Sequence, residues 1–121
     1  MRFNFAYGRL TPLLQLMAIG PNNASIELTA ESLDVRMGWA FKTSVPRSSI
    51  TNVHVLDKKV MSIGVHGWAG RWLVNGAGDR LVQIDIEPRA KARTAFIPLK
   101  LRELTLSLEN PAEFTQAITN R

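Results

Sequence analysis

From residue 26 to residue 108 the apolar residues of this chain tend to return at every second position, and then the period changes. Ile26 and Leu28 alternate with Glu27 and Thr29, and Leu33, Val35 and Met37 alternate with Asp34, Arg36 and Gly38. A period of two sends successive side chains to opposite faces, so such segments are strands with one buried and one wet face. The short Ala30-Glu31-Ser32 turn between the first two predicts an antiparallel hairpin. Phe41, Thr43 and Val45 predict a third strand, ended at Pro46 because proline cannot donate to a ladder.

Residues 51–56 predict a fourth strand, with Val53 and Val55 on one face and Asn52 and His54 on the other. Residues 71–75 predict a fifth, turned by Gly76-Ala77-Gly78-Asp79 into a sixth over 81–86, with Val82, Ile84 and Ile86 inward and Pro88 closing it. A basic connection then leads past a short apolar piece, residues 95–98, to the clearest alternation in the chain, residues 103–108. Seven short antiparallel strands do not sit comfortably as one flat open sheet, which predicts closure or a two-sheet stack.

At Asn110 the pattern becomes helical. Asn110 is a good N-cap, Pro111 suits the first turn, Glu113 completes a capping box, and Phe114, Ala117 and Ile118 form one apolar stripe. Such a stripe must lie on the sheet. A second, short helix is predicted from the apolar run at residues 13–19, capped by Thr11, begun by Pro12 and stopped by Gly20-Pro21. That run is too short to cross a bilayer, and Pro21-Asn22-Asn23 is a poor context for leader cleavage. With no repeat, linker or low-complexity tract, residues 1–121 read as one domain. Residues 1–23 are an N-terminal extension, and residues 24–119 the strands and final helix.

The residue inventory excludes several chemistries. There is no cysteine, so disulfides, thiolate metal sites and cysteine nucleophiles are ruled out, and a cytoplasmic setting fits. His54 and His66, twelve residues apart, have no acid at ligand spacing, and Asp57 would fall on the opposite strand face from His54; no metal site or cofactor is expected. No G-x-S-x-G elbow occurs, and Asp85 and Glu87 read as a solvated strand face. Neither Gly64, Gly67 and Gly70 nor Gly76-Ala77-Gly78 is followed by the helix that a phosphate-cradling loop requires. No catalytic residue is assigned, and the chain is expected not to be an enzyme.

Two features point to binding. Gly64-Val65-His66-Gly67-Trp68-Ala69-Gly70-Arg71-Trp72 has three glycines at intervals of three and two of the three tryptophans, and it reads as the end of a long connection from Lys58. Long loops carry function disproportionately, and an exposed Trp beside Arg is a frequent composition for an interaction hot spot. His66, Trp68 and Arg71 are therefore candidate partner-binding residues, with Trp39, after Gly38, as a fourth; Trp72 could stack with Trp68 and His66 on a base or apolar ligand, but its place inside a strand favours assigning it to the core. The second feature is charge: fifteen Lys and Arg against ten Asp and Glu give a net +5, which favours anionic partners. The basic residues are spread along the chain, with Arg89, Lys91 and Arg93 as the densest group.

The segments Leu33-Asp-Val-Arg-Met-Gly38, Val45-Pro-Arg-Ser-Ser-Ile50 and Leu104-Thr-Leu-Ser-Leu-Glu-Asn-Pro-Ala-Glu-Phe114, with residues 64–76, resemble a group of small bacterial proteins related to pleckstrin-homology-like domains. The resemblance covers about residues 24–119 and is one of pattern. It implies a seven-stranded antiparallel barrel stoppered by the C-terminal helix, and a binding or assembly module. In relatives that bind phosphoinositides the first inter-strand connection is long and basic. Here the matching Ala30-Glu31-Ser32 is short and carries an acid, which argues against headgroup recognition. Arg47 in the third connection and Arg89, Lys91 and Arg93 in the sixth are the implied anion-binding candidates at a barrel end.

The leading expectation is a soluble, non-catalytic interaction module that binds a protein partner or itself. The alternative is salt-sensitive binding of an anionic ligand, lipid headgroup or nucleic acid, through basic loops, with peripheral membrane attachment as its cellular counterpart.

Overall fold

The computed structural model describes residues 1–6, 24–38, 40–57, 64–75, 80–94 and 97–119. Among the described residues nine strands and one α-helix form, in the order β1 (Arg2–Phe3), β2 (Ala24–Leu28), β3 (Ser32–Met37), β4 (Phe41–Pro46), a 3-10 turn (Arg47–Ser49), β5 (Ile50–Leu56), β6 (Gly64–Trp68), β7 (Arg71–Asn75), β8 (Leu81–Thr94), β9 (Ile97–Ser107) and α1 (Pro111–Thr119). The predicted helix over residues 11–19 lies outside the described residues.

The strands share one mixed sheet of order β1-β2-β3-β4-β8-β9-β7-β6, with β5 pairing β8 off this path. The long strand β8 organises the whole. Its first half pairs with β5, from Ile86 against Ile50 to Leu81 against Leu56. Its second half pairs with β4 through Thr94, Arg93 and Ala92. Along its other edge both halves pair with β9. The register slips between Asp85 and Ala90, where residues 86–89 face the single Arg102. Pro88, preceded by a cis peptide bond, sits in that bulge, where the ladder requires no N–H from it. The sixth strand therefore does not end at Pro88, and the expected basic connection is itself strand.

The antiparallel seven-stranded barrel is corrected in three respects. Among the described residues there are nine strands; β7 runs parallel to β9, Arg71 to Val74 matching Glu103 to Leu106; and the ladder of the described strands does not close into a barrel. The β6–β7 hairpin occupies the second edge of β9 along residues 103–106, so the N-terminal segment reaches β9 only beyond it. There Phe5 bridges Leu108, the Ala6 N–H donates to the Ser107 carbonyl at 3.0 Å, and the Glu109 N–H donates to the Asn4 carbonyl at 2.9 Å. Strand β9 lies between β7 and β8, so these two are not a hairpin, and the glycine-rich residues 76–79 expected to turn it lie outside the described residues.

The core is built as the alternation predicts. Leu33, Val35 and Met37 of β3, Val82, Ile84 and Ile86 of β8, and Leu104, Leu106 and Leu108 are all buried. Strand β5 is less regular: Val53 packs on the core but Val55 is 53% exposed. Helix α1 begins as expected: Asn110 Oδ1 accepts from the Glu113 N–H at 3.3 Å, and Asn110 Nδ2 donates to Glu113 Oε2 at 3.0 Å. Phe114 and Ile118 are buried, and the Phe114 ring meets Phe3 edge-to-face with centroids 5.1 Å apart.

Candidate functional site

The glycine-tryptophan run is a β-hairpin, not a long loop. Strand β6 pairs with β7 from Gly64 against Asn75 to Trp68 against Arg71, leaving Ala69 and Gly70 as a two-residue turn. Both have positive φ, 57° and 83°, the conformation that matches a tight hairpin to strand twist. Gly67 sits opposite Trp72, whose indole covers its backbone and packs on the core, as assigned. The spacing that marked this segment for binding thus has a packing role at two of its three glycines. Arg71 is exposed, in register with Trp68 and Glu103. The side chains of His66 and Trp68, and all of Trp39, lie outside the described parts.

Of the anion-binding candidates, Arg47 is already engaged. Its Nη1 donates to the Thr29 carbonyl at 2.9 Å, and its Nη2 to the Ala117 and Ile118 carbonyls at 3.2 Å each. It joins the β2–β3 turn to the last turn of α1, satisfying carbonyls that a helix end leaves without intrahelical partners. Arg89 lies at the bulge, in a cleft that it shares with Arg71 and Arg102 as well as with Asp85, Glu87 and Glu103.

Lys91 and Arg93 fall into a larger arrangement. On β8 they alternate with buried Ala90 and Ala92, so both project from the outer face of the sheet. Strand β4 places Lys42 opposite Arg93, and β3 places Arg36 opposite Lys42. Strand β9 places Lys100 opposite Lys91. All five are exposed, and among the described residues none of them forms an ion pair. The ladder under them is reinforced by two hydroxyls: Thr43 Oγ1 donates to the Lys91 carbonyl at 2.7 Å, and Thr94 Oγ1 to the Ala40 carbonyl at 2.9 Å. An acid bounds the patch: Asp34, two residues from Arg36, accepts from the Ser44 hydroxyl at 2.5 Å and from the Ser32 hydroxyl at 3.0 Å.

Three directly opposed like-charge pairs oppose folding, because cross-strand neighbours lie close enough to repel. Arg36, Lys42 and Lys100 were not singled out from the sequence. The available signal was that each occupies an outward position between buried ones, but their mutual registry depends on which strands are neighbours.

On the other half of the outer face His54 Nε2 lies 3.4 Å from Asp85 Oδ2, and Asp85 Oδ1 accepts from Gln83 Nε2 at 3.0 Å. His54 has an acidic neighbour after all, supplied by the adjoining strand. Among the described residues no three His, Cys, Asp or Glu side chains are grouped to hold a metal ion, and no helix is long and apolar enough to cross a membrane. Comparison with protein-family models, curated proteins and solved structures finds no match to this chain.

Proposed function

We propose that this protein is a non-catalytic binding module for phosphate-rich polyanions, with the outer face of β3, β4, β8 and β9 as its contact surface. The observation that carries this reading is the registry of Arg36, Lys42 and Arg93 across three strands, beside Lys91 opposite Lys100. A solvated surface would intersperse both signs, whereas here the repulsion of like-charge pairs is retained without acids among them. A polyanion laid on the face removes that repulsion and releases its own counterions. The basic groups belong to paired strands rather than loops, so the surface needs little ordering to bind.

Elution from immobilised heparin tests this. The Lys42→Glu variant should elute at distinctly lower salt than Arg2→Glu, which changes net charge equally on the edge strand β1. Identical elution of the two would assign retention to net charge and remove the site.

The rival reading, a module that binds a protein partner or itself through the β6–β7 hairpin, draws support from exposed Arg71 next to half-buried Trp72. Arg71→Glu should then abolish co-purification of a native partner while leaving heparin elution close to that of Arg2→Glu.

A further inference from the structure

We infer that the cleft at the β8–β9 bulge is a seat for an acidic α-amino acid, held through its ammonium and its two carboxylates. The cleft has a volume of about 530 Å³, within the range of small-molecule sites. Three arginines, Arg71, Arg89 and Arg102, and three acids, Asp85, Glu87 and Glu103, line it.

A break in the alternation gathers these groups. On β8, Ile86 and Ala90 are buried, and the three residues between them, Glu87, Pro88 and Arg89, are all exposed. On β9, Leu101 and Leu104 are buried, so Arg102 and Glu103 between them both turn outward. A regular strand would send every second residue inward; the bulge re-aims these side chains to one side.

The gathered groups are sorted by sign. Asp85 stands directly opposite Glu103, acid against acid. Arg89 and Arg102 are the neighbours of Ala90 and Leu101, the next matched pair, and so bring base beside base. An ordinary solvated surface intersperses the two signs. Among the described residues no arginine of this cleft forms an ion pair with its carboxylates. Glu103 follows Arg102 directly, and consecutive α-carbons are about 3.8 Å apart, so the acidic and basic ends adjoin. A ligand that relieves both repulsions carries a cation and an anion close together, as the ammonium and carboxylate of an α-amino acid are.

The ammonium falls to Asp85 and Glu103, and the α-carboxylate to Arg89 and Arg102, whose planar forks suit it. Arg71, matched to Glu103 from β7, supplies a third guanidinium for a side-chain carboxylate. Asp85 is held in place, since Oδ1 accepts from Gln83 Nε2 and Oδ2 lies 3.4 Å from His54 Nε2. Glu87, between Asp85 and Arg89 in the chain, disfavours a ligand that is anionic throughout. The seat is thus distinct in chemistry from the basic face.

Amide chemical-shift titration of the isotope-labelled full chain tests the inference with L-glutamate, with glutarate, which has both carboxylates but no ammonium, and with inorganic phosphate. L-Glutamate should shift the amides of residues 71, 85–89 and 102–103 and leave those of β4 unmoved. Glutarate should bind about tenfold more weakly, the loss of one charge-assisted contact. Arg89→Gln, at an exposed position, should weaken L-glutamate binding about tenfold, whereas Lys42→Glu on the basic face should change it less than about twofold. Glutarate binding as tightly as L-glutamate overturns the inference, because the ammonium then has no seat. Phosphate binding more tightly than L-glutamate overturns it too, and makes the cleft an anion site. Shifts confined to other residues, or none with L-glutamate at about 10 mM, overturn it as well, since a Kd near 1 mM would be nearly saturated there.

Discussion

The indole of Trp72 lies against the α-carbon of Gly67: a methyl group built there would stand 2.5 Å from Cδ2 and 2.7 Å from Cγ of the ring. It would also press on the carbonyl oxygen of Arg71. Any side chain at position 67 must therefore displace either the tryptophan from the core or the strand from its partner. Gly67→Ala should cost about 1–3 kcal/mol, the range for overpacking a fitted site. A urea melt with an unchanged midpoint would show that the hairpin is not packed in this way.

Gly70 is constrained differently. Its φ of 83° lies where side chains are strained, and an added Cβ would approach the Lys100 carbonyl and Arg102 Cγ at 3.2 Å. The Gly70 carbonyl also accepts from the Arg102 N–H at 2.9 Å, so the turn is anchored to β9. Gly70→Ala should destabilise by about 1–2 kcal/mol, while Gly70→Asn, better tolerated at positive φ, should lose less. Equal losses for the two would point to crowding rather than backbone strain.

What could be read from residue order follows from how local each cause is. Strands β2, β3 and β4 were legible because alternation and short turns are properties of consecutive residues, and α1 because Asn110, Pro111 and Glu113 are adjacent. The continuation of β8 through Pro88 was not, because proline usually ends a central strand and only the slip between Asp85 and Ala90 makes room for it. The parallel pairing of β7 with β9 joins residues about thirty apart across β8, and no local pattern encodes it. The basic face was half legible. Lys91 and Arg93 stand out by proximity, but Lys42 and Lys100 join them only through the pairing of β8 with β4 and β9. Arg47 shows the reverse case: a cation in a connection looks free to bind, and the helix end that engages it is about seventy residues away.

That engagement makes Arg47 a stability residue. Lysine carries the charge but not the planar fork that reaches Thr29 on one side and Ala117 and Ile118 on the other. Both Arg47→Lys and Arg47→Ala should lower stability, the alanine variant by about 1–3 kcal/mol, since carbonyls in a partly buried setting lose their donor. Heparin elution of folded Arg47→Lys should match the parent protein. A large loss of retention with intact stability would instead return Arg47 to the anion site.

Phe114 holds α1 to the sheet through Phe3, and with its side chain fully buried Phe114→Ala should cost about 3–5 kcal/mol. Asn110→Ala, which removes only the cap, should cost about 0.5–2 kcal/mol. Thermal denaturation followed by circular dichroism separates the two. A Phe114→Ala variant as stable as Asn110→Ala would mean that the helix does not close the core.

The basic face makes a prediction of opposite sign. Lys91 and Lys100 are direct cross-strand neighbours, both exposed. Replacing one by an acid turns a repulsive pair into an attractive one, so Lys91→Glu and Lys100→Glu should each stabilise the fold by about 0.2–1 kcal/mol at low salt. Because the pair is exposed, the gain should fade as ionic strength rises. The double variant Lys91→Glu/Lys100→Glu restores like charges and should lose the gain, a non-additivity that a double-mutant cycle reads directly. Each single variant should nevertheless bind polyanions more weakly than the parent. Stability and binding moving in opposite directions at one position is what a retained binding surface requires. If Lys91→Glu weakened both together, the loss of binding would reflect damage to the sheet, and the charge row would have no separate role.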